Sequence, residues 1–202
     1  MKSIKTVFLA GILAFFLVLA HGCSQKTEEG GGKSYFPNGV GNTWTYSNDD
    51  GTSMTVTVDR TDVIFGNIAV QLFVATDLDS GGHVTDTDEE YYRVTDAGVY
   101  DHGTPTYPQE TGLPWLLFPL TVGKTWTFVD GTTYDRIATV VAIENVTVPA
   151  GTFSCYKVSY TWKQDDTEIS TDTSWFGDGV GVVKVVSSGS PEIVSVLESY
   201  NF

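Results

Sequence analysis

The first candidates for a metal-binding or catalytic site in this sequence are two histidines that lie near acidic residues. His83 lies four residues after Asp79, and His102 directly follows Asp101. A zinc site normally needs three or four histidine, cysteine or carboxylate ligands at definite spacings, and two unlinked histidines do not supply them. We therefore expect solvated loop histidines and no metal site.

A dense group of carboxylates between residues 77 and 90 is the second candidate. Oxygen-rich loops suit Ca²⁺, but the segment has no acid at the fifth position counted from Asp77 and lacks the later glutamate of a calcium loop. A solvated acidic loop is the preferred interpretation, and calcium binding is the alternative. Its acids are Asp77, Asp79, Asp86, Asp88, Glu89 and Glu90.

Nucleophiles and cofactor loops give no stronger signal. Cys155 lies within a strand-like segment, which is typical of a small core residue. The sequence has no Gly-x-Ser-x-Gly motif, and the glycine-rich residues 177–181 precede an apolar strand rather than a helix. We expect no catalytic residues, no cofactor and no enzymatic activity. The alternative is a hydrolase that uses loop acids with His102 or His83.

Aromatic side chains are the remaining chemical resource, with five Trp, ten Tyr and eleven Phe. Tyr107, Trp115 and Phe118 frame the proline-rich residues 101–115, which we interpret as a loop between two halves. Strand aromatics either pack the inside of a curved sheet or line a groove that suits sugars or acyl chains. We take these three residues as candidate ligand contacts and leave the two alternatives open.

The elements that position these side chains follow from an internal repeat. Residues 36–46 recur at 118–128, an offset of 82, with Phe, Pro, Val, Gly, Thr, Trp and Thr in register. This predicts two similar halves, with quasi-repeats at about 35–101 and 117–187.

Period-two alternation and turn signals predict strands throughout residues 35–202. Met54, Val56 and Val58 alternate with polar residues, and the phase then slips before Val63, which predicts a bulge between Val58 and Val63. No segment has helical periodicity once the apolar N-terminus is set aside. We expect one all-β domain, either a single curved antiparallel sheet or a half-open β-barrel, of about ten strands.

The N-terminus indicates export. Two lysines precede an apolar run over residues 7–20, which is too short to span a bilayer comfortably. Gly22-Cys23 resembles the lipobox of bacterial lipoproteins, although His21 departs from the usual small or apolar residue. We expect a signal peptide at 1–22, lipid attachment at Cys23 and a flexible glycine-rich tether at 23–34. An ordinary signal peptidase site before Cys23 is the alternative.

The net charge limits the classes of molecule that the protein can bind, and the cysteine content limits its disulfides. The net charge is −14, and removal of residues 1–22 leaves 9 basic against 25 acidic residues, a net charge of −16. The negative electrostatic potential of a protein with this charge disfavours binding to nucleic acid and to anionic lipid surfaces. If Cys23 is acylated, Cys155 has no disulfide partner.

The motifs together resemble a family of bacterial envelope lipoproteins of unknown function. They are Phe-Pro-x-x-Val-Gly-x-x-Trp-x-Tyr, the sequence VPAGTF at 148–153, and a Trp-Phe-x-x-Gly-Val-Gly-Val-Val segment at 175–183. The resemblance covers most of residues 35–187. It implies a curved antiparallel sheet similar to periplasmic lipid-handling half-barrels, and it brings no catalytic residues.

From these patterns we expect a non-catalytic, lipid-anchored envelope protein. A curved sheet without helices has a concave face, which we expect to be an apolar groove for a lipid, an acyl chain or an envelope-protein partner. A purely structural envelope module is the alternative. Ser24 after the cysteine favours the outer membrane, facing the periplasm or the cell surface.

Mass spectrometry of the mature N-terminus tests the predicted processing. We expect a chain that begins at an acylated Cys23. An intact Met1, or an unmodified Cys23, would contradict lipid attachment.

Overall fold

Alternating apolar and polar residues build the strands that make up most of the structure. A computed structural model describes residues 32–130, 134–165, 167–188 and 192–202. The predicted signal peptide and Cys23 lie outside these residues. A short 3₁₀ turn at Gly32–Tyr35 precedes the first strand. Within the described part of the chain, no helix has the length and apolar character needed to cross a membrane.

Twelve strands follow in chain order. They are β1 Thr43–Asn48, β2 Ser53–Ile64, β3 Ile68–Leu78, β4 Val84–Val94, β5 Gly98–Gly103, β6 Pro108–Leu117, β7 Thr125–Asp130, β8 Tyr134–Val148, β9 Gly151–Gln164, β10 Thr167–Gly177, β11 Gly181–Ser187 and β12 Ile193–Asn201.

All twelve strands belong to one antiparallel sheet with the order β6-β5-β4-β3-β2-β1-β12-β11-β10-β9-β8-β7. Each half of the chain is therefore a six-stranded meander, and the two meanders join where β1 pairs with β12. The sheet curls into a barrel that is nearly closed and keeps one seam, between the edge strands β6 and β7. The predicted all-β class and barrel-like sheet are confirmed, with twelve strands rather than about ten.

The repeat produces the same turn twice. The Gly41 N–H donates to the Val58 carbonyl at 2.8 Å, and 82 residues later the Gly123 N–H donates to the Val140 carbonyl at 2.8 Å. Both glycines have positive φ, 93° and 90°, a conformation that side chains with a Cβ rarely adopt. The repeated motif thus fixes how each half enters its first strand.

The bulge predicted after Val58 is present. The pairing of β2 with β3 shifts between Val58 and Arg60, and the pairing of β8 with β9 shifts between Val140 and Ala142. Each shift reverses the faces on which later side chains lie. As a result, Ile64 of β2 lies with Val70 and Leu72 of β3 in a small apolar cluster separate from the main core.

Two segments that we predicted as loops are strands. Residues 101–115 lie largely within β5 and β6, and the acidic residues 77–90 form most of the β3–β4 hairpin. Pro108 and Pro114 lack an N–H group, but β6 is an edge strand with a backbone partner on one side only, where proline is tolerated. Prolines and clustered acids are typical of loops, so an assignment from composition did not identify these segments as strands.

Aromatic rings line the concave interior. The Phe36 ring lies 5.2 Å from the Phe73 ring and 5.2 Å from the Trp115 ring. Trp44 and Trp126, the matching tryptophans of the two repeats, are 5% and 8% exposed. The sheet supplies its own core, since in the described residues no helix covers the concave face.

Side chains bridge the seam where the backbone ladder stops. The indole N–H of Trp126 on β7 donates to the Pro114 carbonyl on β6 at 2.8 Å. The Lys124 ammonium reaches the chain just beyond the end of β6 and also contacts its last residue. It donates to the carbonyls of Leu117, Phe118 and Pro119 at 3.0, 2.9 and 3.0 Å.

Replacement of Trp126 tests how much this seam contributes to stability. We expect Trp126→Ala to lower the free energy of unfolding by about 3–5 kcal/mol, because it removes a buried ring and leaves the Pro114 carbonyl without its donor. Trp126→Phe keeps most of the ring and should cost less. Tyr107→Ala, at a position that is 78% exposed, is the control. Urea unfolding measures all three, and a Trp126→Ala loss below about 1 kcal/mol would show that the seam does not depend on this residue.

Candidate functional site

A partly open cavity of about 600 Å³ lies inside the barrel, lined mainly by the first half and on one side by β11 and β12. This volume lies within the range of roughly 300–1,000 Å³ that is usual for small-molecule sites. Most of its surface is apolar, and β1, β3, β4 and β6 contribute rings. These are Trp44, Tyr46, Phe73, Tyr92 and Trp115, with Phe36 from the segment before β1.

The polar tips of two of these rings are bonded to the wall. The Trp44 indole N–H donates to the Val180 carbonyl at 2.7 Å, and the Tyr46 hydroxyl donates to the Val182 carbonyl at 3.0 Å. Burial raises the pKa of Tyr46, so the hydroxyl stays protonated. Both rings are therefore held in place, and their apolar surfaces line the cavity.

Three carboxylates also line the cavity: Asp77 on β3, and Asp88 and Glu90 on β4. Asp88 is cross-strand from Ala75, and Glu90 is cross-strand from Phe73, so strand alternation places all three acids on the concave face. The cavity lining contains no lysine, arginine or histidine.

The carboxylates differ in their partners. In the described part of the chain, Asp77 and Asp88 make no hydrogen bond or ion pair, whereas Glu90 accepts the Tyr92 hydroxyl. Burial, together with the charges of Asp88 and Asp86, raises the pKa of Asp77.

Glu90 keeps contact with water at the mouth although protein surrounds much of it. Burial is the largest effect on its pKa and raises it, while the Tyr92 hydrogen bond and the more remote Arg136 act in the opposite direction and are outweighed. Both Asp77 and Glu90 are thus carboxylates that the folded protein holds less favourably than water does.

The cavity exists because the two halves fill equivalent positions differently. Trp44, Val56, Ala75 and Asp88 lie side by side across β1 to β4. The corresponding row of the second half is Trp126, Ala138, Tyr160 and Asp172. Tyr160 is 2% exposed and fills the interior of its half, whereas Ala75 leaves that volume empty.

The three aromatic residues that the sequence indicated as ligand contacts lie in different places. Trp115 lines the cavity. Phe118 is buried in the main core, and Tyr107 is 78% exposed at the β5–β6 turn. Sequence reasoning missed Trp44 and Tyr46 as lining residues, although their alternation on β1 places them on one face.

The two histidines do not meet. His83 pairs with Asp79 in the β3–β4 turn, at 3.2 Å and exposed to solvent. His102 was expected to be a solvated loop residue, but it is 3% exposed on β5. Along β4, about eight residues separate the end near His83 from the position beside His102. This corresponds to roughly 25 Å at 3.3 Å per residue.

His102 is buried because Gly112 faces it. A Cβ at Gly112 would lie 2.5 Å from Nε2, so only glycine leaves room for the ring. Its Nδ1 lies 2.8 Å from the Gln109 carbonyl oxygen, which fits a donated N–H. The ring thereby ties together the two strands of the β5–β6 hairpin.

No other group in the described residues forms a reactive constellation. No three His, Cys, Asp or Glu side chains there are grouped as metal ligands. Cys155 is fully buried on β9, and burial raises the pKa of its thiol to about 11. A thiol in that environment stays protonated at neutral pH. The cavity is therefore the candidate site.

Comparisons with known proteins agree with this architecture. Residues 126–189 match the DUF3108-like family, which covers less than half of the chain. A predicted lipoprotein from Parabacteroides distasonis is similar in structure, with a TM-score of 0.52 and 14% identity over 83% of this chain and 98% of that one. A predicted exported protein with a YmcC-like fold from Bacteroides fragilis has a TM-score of 0.55 and 18% identity over the same shares. At these identities the likeness shows a shared fold. The search of curated proteins gave no match.

The acidic wall predicts an unusual pH dependence. An acid whose pKa is raised by folding favours the folded state below its unfolded value and reduces stability as pH rises through the folded value. We expect Glu90→Gln and Asp77→Asn to raise the melting temperature at pH 7, and this gain should vanish below the ordinary values of 4.5 and 3.8. Glu89→Gln, on the outer face of β4, is the control. A melting temperature that falls at pH 7 in both cavity variants would contradict this prediction.

Proposed function

We propose that the protein is a non-catalytic, lipid-anchored protein of the cell envelope that binds a small amphiphilic ligand inside its barrel. The cavity of about 600 Å³ carries this proposal, because a barrel that only had to be stable would fill it. A ligand with an aromatic or acyl body would contact the faces of Trp44 and Trp115, while its polar end would meet the acidic wall.

The envelope location rests on the N-terminus and on the structural relatives. Gly22-Cys23 resembles a lipobox, and the tether that follows would let an anchored domain reach away from the membrane. The two similar structures belong to a predicted lipoprotein and a predicted exported protein. Anchoring in the outer membrane, facing the periplasm or the cell surface, is part of this proposal.

A purely structural envelope module is the second candidate. Its support is that self-packed aromatics fill most of the barrel, including Tyr160 and Phe176, which are 2% and 0% exposed. Under that function the protein would act through its outer surface, and the cavity would hold only water. The two candidates therefore differ in what the cavity contains.

Native mass spectrometry distinguishes them. The chain from residue 24 onward, which contains the twelve strands described above, would be purified without detergent. We expect it to carry a small molecule that is released on unfolding, or to enhance the fluorescence of the neutral probe N-phenyl-1-naphthylamine.

Two variants assign any binding to the cavity. Ala75→Tyr introduces the ring that Tyr160 places in the second half, and we expect it to abolish binding. Ala75→Ser leaves the cavity open and should bind like the wild type. A wild-type chain that neither carries a molecule nor binds the probe would contradict the binding function and favour the structural one.

A further inference from the structure

The second half of the barrel contains a half-buried cation, and no cation lines the cavity of the first half. Arg136 on β8 lies over three rings, with its guanidinium carbon 5.1 Å from the Phe128 centroid, 5.1 Å from that of Tyr160 and 4.8 Å from that of Trp162. Its Nη2 lies 3.4 Å from an Asp172 oxygen. The barrel thus binds a guanidinium by ring faces and one carboxylate.

Strand pairing identifies the matching place in the first half. Met54 precedes Arg136 by the repeat offset of 82 and pairs with Asp77, as Arg136 pairs with Trp162. Asp88 occupies the position of Asp172, because each lies in the row described above. The first half therefore keeps the carboxylate partner and has an uncharged thioether in place of the cation.

The environment around that place is also that of a cation site. Tyr46 stands where Phe128 stands in the second half, and it lines the cavity. Ala75 and Asp77 replace the other two rings, so space and a second carboxylate take their place. Glu90 adds a third, and none of the lining residues is basic. The acids alone would be a charged surface, but together with the aromatic cavity they complement a positive charge on an apolar body.

We infer that the cavity binds an organic cation, a guanidinium or amine joined to an apolar body, with its charge at the position that Arg136 fills in the second half. This inference rests on the proposed binding function and names its ligand class. The charged end would lie between Asp77 and Asp88, and the body would extend over Trp44 and Trp115. A fatty acid is disfavoured, because its carboxylate would face the same wall.

A matched pair of ligands tests the charge. Benzylguanidinium and benzylurea have nearly the same shape, and only the first is charged. Displacement of N-phenyl-1-naphthylamine, supported by isothermal titration calorimetry, should show benzylguanidinium binding at least about tenfold more tightly. Asp77→Asn and Asp88→Asn should each remove most of that preference and leave benzylurea binding unchanged. Glu89→Gln removes the same charge from the outer face of β4 and should have no effect.

A second variant tests the internal analogy. Met54→Arg places a guanidinium at the position equivalent to Arg136, so we expect it to fill the site and abolish benzylguanidinium binding. Met54→Leu keeps the position apolar and should bind normally. Circular dichroism and thermal unfolding check that both variants fold. If Met54→Arg does not fold, the Asp77→Asn and Asp88→Asn variants still test the inference.

The outcomes separate the two proposals. If the naphthylamine binds and Ala75→Tyr blocks it, but the two benzyl ligands bind equally, the cation inference is wrong and the binding function stands. If neither the naphthylamine nor either benzyl ligand binds, both fail. Charge preference that Asp88→Asn abolishes and Glu89→Gln preserves supports both.

Discussion

A sheet without a helix over its concave face has to bury that face against itself, and this constraint shapes the whole molecule. Twelve strands are enough for the sheet to curl around and bring its edges together, so opposite walls share one aromatic core. The β1–β12 ladder joins the two halves on one side. On the other side, where Pro114 has no N–H to offer, the Trp126 indole and the Lys124 ammonium supply the donors. Every interior position is then either filled by a side chain or left as cavity.

The two halves have similar strand arrangements, but side chains fill the interior of one half more completely than that of the other. Their glycine turns and inward tryptophans are the same, because these determine how each meander begins. The interior of the second half is completed by Tyr160 and Arg136, and the guanidinium is neutralised by Asp172. In the first half, Ala75 and Met54 occupy the matching positions, and the result is open volume beside Asp88. One frame has thus produced a packed half and a hollow one.

The strand arrangement could largely be predicted from the sequence, and the cavity could not. The repeated turn depends on a short local motif at a constant offset. The all-β class followed from period-two alternation, and the bulge after Val58 from the slip in its phase. The edge strand β6 was missed because its prolines are typical of a loop. Residues 77–90 of the β3–β4 hairpin were missed because a dense group of acids is also typical of a loop. The cavity depends on cross-strand partners whose offset is no longer 82: Ala75 matches Tyr160 at 85, and Asp88 matches Asp172 at 84. Without the pairing, these equivalences are not visible in the sequence.

The acids of the cavity are the strongest reason to regard it as more than a packing defect. Burial makes Asp77 and Glu90 unfavourable as charges in the folded protein. The second half shows that the same frame accepts neutral residues there, since Trp162 stands in the place of Asp77 and Ser174 in that of Glu90. A sequence under pressure for stability alone would converge on that solution. Carboxylates whose pKa is raised by folding lie next to open aromatic surface, and no lysine, arginine or histidine lines the cavity. A ligand that brings a positive charge would complement them.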